Sequence, residues 1–311
     1  MPTNLVFLDA ATLGDADLSP LQQAACKLQL YDYTAPEDRL ARLQHADIAI
    51  VNKCVIDANL MKQLPRLKAI MISATGTDNV DLAAAEEAGI FVKNVQNYAE
   101  TAVPQHVFAL LLSLTNQLLP YQQAVKTGRW AKSNSFCLLD YPVMELSGKT
   151  MTIVGYGALG QATARLAVAF GMTVVIAERP DATHVRPGRM GFCEALKVAD
   201  VVSLHCPLTR DTQHLFNTER LSWLKSSAIL INTARGGLID AQALLNALQQ
   251  GQLKAAGLDV LAEEPPSVDD CLINCNLSNL LITPHIGWAS NEARTRMVEK
   301  IVDNIKNYLA N

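Results

Sequence analysis

The sequence predicts an α/β protein made of two doubly wound domains with parallel sheets. Three observations carry that expectation. Short apolar runs rich in β-branched residues alternate with helical patterns along almost the whole chain, the order expected of parallel strands joined by crossover helices. The length, 311 residues, suits about two domains, each large enough to bury a core. A glycine-rich turn, Gly155-Tyr156-Gly157-Ala158-Leu159-Gly160, stands near the start of a second α/β pattern that begins at Lys149.

The first hundred residues predict strands at Leu5–Leu8, Leu28–Tyr31, Ile48–Val51, Ala69–Ile72 and Phe91–Lys93, with helices such as Pro36–Gln44 and Leu82–Ala88 between them. Gly89 is a helix stop, since glycine accepts the left-handed conformation there. One long apolar helix is expected over Val103–Leu119, with Pro104 tolerated in its first turn. Residues 120–148 read as a connecting arm. The second unit predicts strands at Met151–Val154, Thr173–Ile176, Val201–Leu204, Ile229–Ile231, Ala256–Val260 and Leu280–Thr283. The final helix, Asn291–Leu309, is expected to return to the first domain. Residues 1–100 with 286–311 then form one domain and 101–285 the other, with a cleft between them as the ligand site.

Composition narrows the function. Half the residues are hydrophobic and 18% are charged, which argues against a disordered chain. A net charge of −4 gives no reason to expect nucleic acid or an anionic membrane. Val107–Leu112, the longest clean apolar run, is far below the roughly 18 residues of a membrane span. The N-terminus reads as a first strand and not as a signal peptide. The seven cysteines, at 26, 54, 137, 193, 206, 271 and 275, show neither a paired framework nor metal-ligand spacing, so free thiols and no metal are expected. A cytoplasmic location follows by elimination.

A glycine triplet alone is weak evidence. Here an apolar strand runs into Gly155, and a helix with Leu159, Ala162, Leu166 and Ala169 on apolar spacing follows. The next strand ends at Glu178, 18 residues after Gly160. That is the context a dinucleotide-binding turn requires. Gly155 allows the tight turn, Gly157 lets the backbone approach a pyrophosphate, and Gly160 allows close helix–strand packing. The N–H groups of Ala158 and Leu159 open the helix toward the phosphates. Glu178 is placed to accept from an adenosine ribose diol and to repel a 2′-phosphate. NAD is therefore favoured, with NADP possible because Arg179 adjoins the carboxylate.

Three residues follow strand ends of the second unit: Arg235, Glu264 and His285. Taken singly, each could be an ordinary loop residue. Together, on the carboxyl-end face of one nucleotide-binding sheet, they point to chemistry. An arginine can grip a carboxylate with two parallel hydrogen bonds. Ketone reduction needs a proton donor beside the carbonyl, and histidine suits that work near neutral pH.

The segments Val-Gly-Tyr-Gly-Ala-Leu-Gly-Gln, His205-Cys-Pro-Leu-Thr, Asn232-Thr-Ala-Arg-Gly-Gly, Gly257-Leu-Asp-Val, Glu264-Pro and Thr283-Pro-His-Ile resemble, in order, the D-2-hydroxyacid dehydrogenase family. Ala74-Thr-Gly-Thr-Asp-Asn-Val-Asp extends the likeness to the first domain. The resemblance implies a Rossmann cofactor domain, a flavodoxin-like substrate domain and a homodimer formed through the long helix and the arm. It implies that Arg235 holds the substrate carboxylate and carbonyl, that His285 is the general acid and that Glu264 pairs with it. Backbone N–H groups around Thr75 and Gly76 would bind the carboxylate. Asp259 and Gly287 would lie near the nicotinamide, and Cys206, Pro207, Thr233 and Ala234 would line the cofactor. Leu8-Asp-Ala-Ala-Thr-Leu-Gly, Asn52-Lys53 and His285-Ile-Gly-Trp288 are similar to the branch acting on glycerate and hydroxypyruvate. Lys53 would then sit over the substrate's polar end and Trp288 would wall the pocket.

Two departures stand out. Val103-Pro104-Gln105 replaces the family's usual valine-alanine-glutamate, and Glu178 stands where aspartate is commoner. Other readings are a 3-phosphoglycerate dehydrogenase, for which no regulatory domain is evident, and an NADH-sensing scaffold of the C-terminal-binding-protein type, for which the chain carries little tail after its last helix.

Overall fold

The computed structural model describes residues 3–24 and 27–310; Cys26 lies outside the described residues. The chain separates into two compact units, one formed by the residues up to Ala99 together with those from Ala289, the other by Glu100–Trp288.

The first unit runs β1 (Asn4–Phe7), α1 (Ser19–Gln23), β2 (Lys27–Leu30), α2 (Arg39–Leu43), β3 (Ile48–Val51), α3 (Ala58–Met61), β4 (Ala69–Ile72), α4 (Leu82–Glu87) and β5 (Phe91–Asn94). Its strands are all parallel, in the order β2-β1-β3-β4-β5. β3 and β4 are buried along their whole length, which is why Ile-Ala-Ile-Val and Ala-Ile-Met-Ile are continuously apolar. Asp57 and Asp81 cap α3 and α4 by accepting from the Leu60 and Ala84 amides. Gly89 has φ +67°, as a helix stop requires.

The second unit begins with α5 (Ala102–Thr115) and α6 (Leu118–Lys126). A single helix over Val103–Leu119 was expected, and the structure divides it. Gln117 adopts φ 54°, ψ 40°, while the side-chain amides of Asn116 and Gln117 donate to the Leu112 and Leu114 carbonyls. These bonds satisfy the end of α5, so the chain turns there without a glycine.

Then follow β6 (Thr150–Val154), α7 (Ala158–Ala169), β7 (Thr173–Ile176), α8 (Phe192–Val198), β8 (Val201–Leu204), α9 (Thr218–Ser222), β9 (Ile229–Asn232), α10 (Ala241–Gln249), β10 (Ala255–Leu258) and β11 (Leu280–Ile282). The sheet order is β11-β10-β9-β8-β6-β7, all parallel. Successive side chains go to opposite faces. Met151, Ile153, Ile229 and Ile231 pack with α5 and α7, while Val202, Leu204, Leu230 and Leu258 pack with α8 and α10. Gly257 lets α5 come close, since a methyl there would meet Leu110 Cβ at 3.1 Å and Ile231 Cδ1 at 2.9 Å.

The last helix, α11 (Asn291–Ala310), completes the first unit. It buries Met297, Val298, Ile301, Val302 and Ile305. Arg294 donates to the Leu13 carbonyl and Asp15, Arg296 to the Tyr98 carbonyl, and Asn304 to the Asn94 carbonyl.

Candidate active site

In the second sheet β6 leads to β7 on one side, while its other neighbour β8 leads to β9 on the opposite side, so the connections of these two adjacent strands run in opposite directions. Ligands of open α/β sheets bind at such a switch point, beyond the strands' carboxyl ends. The glycine turn sits there. Gly155 has φ +94°, and a methyl on it would lie 2.4 Å from the Cys206 amide nitrogen, after β8. A methyl on Gly160 would lie 2.2 Å from the Gly155 carbonyl oxygen. Both glycines are therefore demanded by the fold itself.

Gly157 is different. Its backbone, φ −80°, ψ −165°, suits any residue, and a methyl there would meet nothing within 4 Å. The protein leaves this space open in front of the first turn of α7, at Ala158 and Leu159. Thr233 Oγ1, after β9, is buried without a hydrogen-bond partner among the described residues. An open cradle at a helix N-terminus and an orphaned buried hydroxyl fit a phosphate-bearing dinucleotide.

Around this turn the loop after β8 carries His205, Cys206 and Pro207. His205 Nε2 lies 2.9 Å from Ser203 Oγ, and burial lowers its imidazole to about 4. Burial likewise pushes the Cys206 thiol up to about 11. The Asn232 side chain folds the next loop: its oxygen accepts from the Ala234 amide at 3.0 Å, and its nitrogen donates to the Arg235 carbonyl at 2.9 Å. Arg235 Nη1 donates to the Ala234 carbonyl.

Glu178 departs from expectation. It is buried, and both carboxylate oxygens are engaged by this chain. Oε1 accepts from the Arg179 amide and from Arg186 Nη2; Oε2 accepts from Arg186 Nε at 2.7 Å and the Arg186 amide at 3.2 Å. The Arg186 hydrogen bond is the main reason its carboxyl is held well below the usual range. A diol acceptor needs lone pairs that this carboxylate has already committed. A cavity of about 280 Å³ borders it, lined in part by Arg179, Phe192, Arg220 and Trp223.

Glu264 and His285 meet. His285 Nδ1 lies 2.6 Å from Glu264 Oε2, and Glu264 Oε1 accepts from the Leu261 amide at 3.0 Å. His285 has φ +55°, a costly conformation for a non-glycine residue that surrounding contacts must hold. They are supplied by Asp259, which accepts from the Ile286 and Gly287 amides at 2.9 and 2.7 Å and from Thr283 Oγ1 at 2.6 Å. His106 of α5 lies 3.2 Å from the same carboxylate. Burial, the largest effect, would raise Asp259; hydrogen bonds from His106, Thr283 and the two amides outweigh it and lower it. Gly236 joins the Arg235 loop to the segment before Glu264, since a methyl there would lie 1.9 Å from the Leu261 carbonyl carbon. Trp288 is half-buried at the end of this unit.

In the first unit, Lys53 and Thr75 are exposed beyond β3 and β4, with Gly76 beside Thr75. Buried Asp9, just after β1, accepts from the amides of Asn52, Lys53 and Cys54 at 2.9, 2.6 and 2.8 Å. Thr75 Oγ1 donates to the Val95 carbonyl at 3.1 Å. Sequence reasoning missed Asp9, His106, Arg186 and Asn232. His106 left a signal as a histidine in a mostly apolar helix, and Asp9 and Asn232 lie within segments that carry the family resemblance.

A dinucleotide turn with an arginine and a carboxylate-bound histidine beyond strands of the same sheet defines a nicotinamide-dependent dehydrogenase. The profile of the D-isomer specific 2-hydroxyacid dehydrogenase NAD binding domain matches residues 108–287, and the chain belongs to this family. It is 45% identical to a putative 2-hydroxyacid dehydrogenase of Haemophilus influenzae, over 98% of both chains. It is 43% identical to a glycerate dehydrogenase of Methylorubrum extorquens, over 100% of this chain and 97% of that one. Among solved structures, an acyclic imino acid reductase in complex with NADPH and D-Arg has a TM-score of 0.88 at 30% identity, covering 99% of this chain and 97% of that one. Among the described residues, no helix is long and apolar enough to cross a membrane.

Proposed function

We propose that this D-2-hydroxyacid dehydrogenase reduces hydroxypyruvate, and less effectively glyoxylate, to the corresponding D-2-hydroxyacid. The observation that carries the catalytic assignment is the 2.6 Å contact between His285 Nδ1 and Glu264, beyond the same sheet as the glycine turn. The glycine turn Gly155–Gly160 would hold a nicotinamide dinucleotide, which would supply the hydride for the substrate's carbonyl carbon. Arg235 binds the substrate's carboxylate and carbonyl oxygen, fixing the carbonyl and polarising it. With Nδ1 committed to Glu264, His285 gives its Nε2 proton to the developing alkoxide. Glu264 then keeps the resulting neutral ring in its Nδ1–H tautomer, and oxidation runs the same transfer backwards. Trp288 walls the pocket. Asp259, Gly287, Cys206, Pro207, Thr233 and Ala234 line the cofactor.

The glycerate dehydrogenase relative supports this substrate choice. Leu118, Leu119, Trp130, Phe136, Leu139 and Val143 are exposed apolar residues of α6 and the arm, and they support a homodimer formed there. Free cysteines throughout the described residues support a cytoplasmic location.

The test is turnover with hydroxypyruvate, glyoxylate, pyruvate and 3-phosphohydroxypyruvate, each with NADH and NADPH. Hydroxypyruvate should give the highest kcat/KM. His285→Ala should lower kcat by roughly 100-fold or more, and Arg235→Ala should damage KM and kcat together. Negligible NADH oxidation with every ketoacid, or variants with wild-type kinetics, would reject the assignment.

A further inference from the structure

We propose that Arg186 selects the form of the coenzyme: held by Glu178, it makes the end of β7 a seat for the 2′-phosphate of NADP(H). This rests on the dinucleotide site above and names which nucleotide that site takes.

The first argument is saturation. An ionised carboxylate offers about four lone-pair positions, and Glu178 receives four hydrogen bonds from its own chain, two on each oxygen. An adenosine diol brings hydroxyls that need an acceptor at this point, and the carboxylate has none left.

The second argument is exposure. The Glu178 side chain is 2% exposed and that of Arg186 is 48% exposed. The acidic group is hidden and the basic group faces outward, so a ligand arriving here meets a guanidinium. The pair uses Nε and Nη2 of Arg186, leaving Nη1 to a second anion, and guanidinium suits phosphate oxygens.

The third is local charge. Residues 178–189 carry Arg179, Arg186 and Arg189 against Glu178 and Asp181, three positive against two negative. Arg179 is exposed, and Arg189 lies 3.9 Å from the Glu178 carboxylate. The hydrogen bond from Arg186 also keeps Glu178 ionised far into the acid range, so the pair persists under ordinary assay conditions.

The discriminating experiment is calorimetric titration of the full chain with 5′-AMP and with 2′,5′-ADP, which differ only in the 2′-phosphate. The expected result is tighter binding of 2′,5′-ADP by roughly tenfold, the scale of a charge-assisted hydrogen-bond pair. Arg186→Ala should remove that advantage and, by freeing Glu178 oxygens to accept from the diol, should leave 5′-AMP affinity no weaker and tend to raise it. Equal or weaker binding of 2′,5′-ADP by the wild-type chain would overturn the proposal and return Glu178 to the diol. So would an Arg186→Ala variant that binds both nucleotides as the wild type does. The wild-type comparison decides the matter even if the variant does not fold. A failure confined to this preference leaves the dehydrogenase assignment intact, whereas failure to bind either nucleotide would overturn both.

Discussion

Two glycines of the same turn should respond to alanine in opposite ways. A methyl on Gly160 would lie 2.2 Å from a backbone carbonyl oxygen, which cannot swing aside as a side chain could. Overpacking of that kind costs about 2–3 kcal/mol. For a unit the size of Glu100–Trp288, each kcal/mol lowers Tm by about 2–4 °C, so Gly160→Ala should lose about 4–12 °C without any ligand present. Gly157→Ala meets nothing within 4 Å in a backbone region open to alanine. It also lowers the entropy of the unfolded chain, worth about 0.4–1 kcal/mol, so Tm should stay level or rise by about 1–4 °C. NADH affinity should nevertheless fall by about tenfold or more, because the methyl occupies the space through which the backbone approaches the pyrophosphate. Differential scanning fluorimetry of the free protein, paired with calorimetric titration of NADH, measures both. The reasoning is refuted if Gly157→Ala is as unstable as Gly160→Ala, or if it binds NADH like the wild type.

The buried imidazole of His205 gives a pH prediction. Its folded value of about 4 lies below its ordinary 6.5, so the unfolded chain binds the extra proton first and stability falls as pH drops from about 6.5 to about 4. At roughly 1.4 kcal/mol per pH unit, the loss is at most about 3 kcal/mol, reduced by the ring's residual solvent contact. Urea melts at stepped pH should show this slope, and His205→Asn should flatten it. Glu264→Gln keeps the shape beside His285 but removes the charge that holds it; kcat should fall by roughly tenfold or more while Tm changes little, and unchanged kcat would remove Glu264 from the mechanism. With its thiol raised from 9.0 to about 11, Cys206 should be alkylated by iodoacetamide at neutral pH roughly 100-fold more slowly than a model thiol. Mass-spectrometric labelling at the model rate would contradict the burial argument.

The strands were legible because most of them are shielded on both faces and so must be apolar in unbroken runs. Ile48–Val51 and Ala69–Ile72 are such runs and fall where the pattern puts them; Thr173–Ile176, a partly exposed edge strand, was found through its β-branched residues instead. The break in the long helix was not legible. It depends on Gln117 entering a left-handed conformation, which amide side chains permit but no glycine announces. In the candidate site, Glu264 and His285 could be chosen from their places after strands, and their contact is seen in three dimensions. The capture of Glu178 by Arg186 was hidden for a different reason. It spans a loop with no periodicity to constrain it, so residue type at 178 suggested a diol acceptor and gave no sign that a partner eight positions on bonds to both its oxygens. The role of Asp9 was not legible because its work is done through backbone amides of another loop, which carry no side-chain signature.

The position of α11 carries a consequence for how the molecule is made. The first unit is not complete until Asn291–Ala310 has joined it, and every residue of the second unit leaves the ribosome before that helix does. The second unit can therefore reach its native state while the first still lacks the helix that buries Met297, Ile301 and Ile305. During that interval the early-made sheet has an uncovered apolar flank, and only the emergence of α11 closes it. A helix that follows the whole second unit in the chain thus acts as the latch for the first.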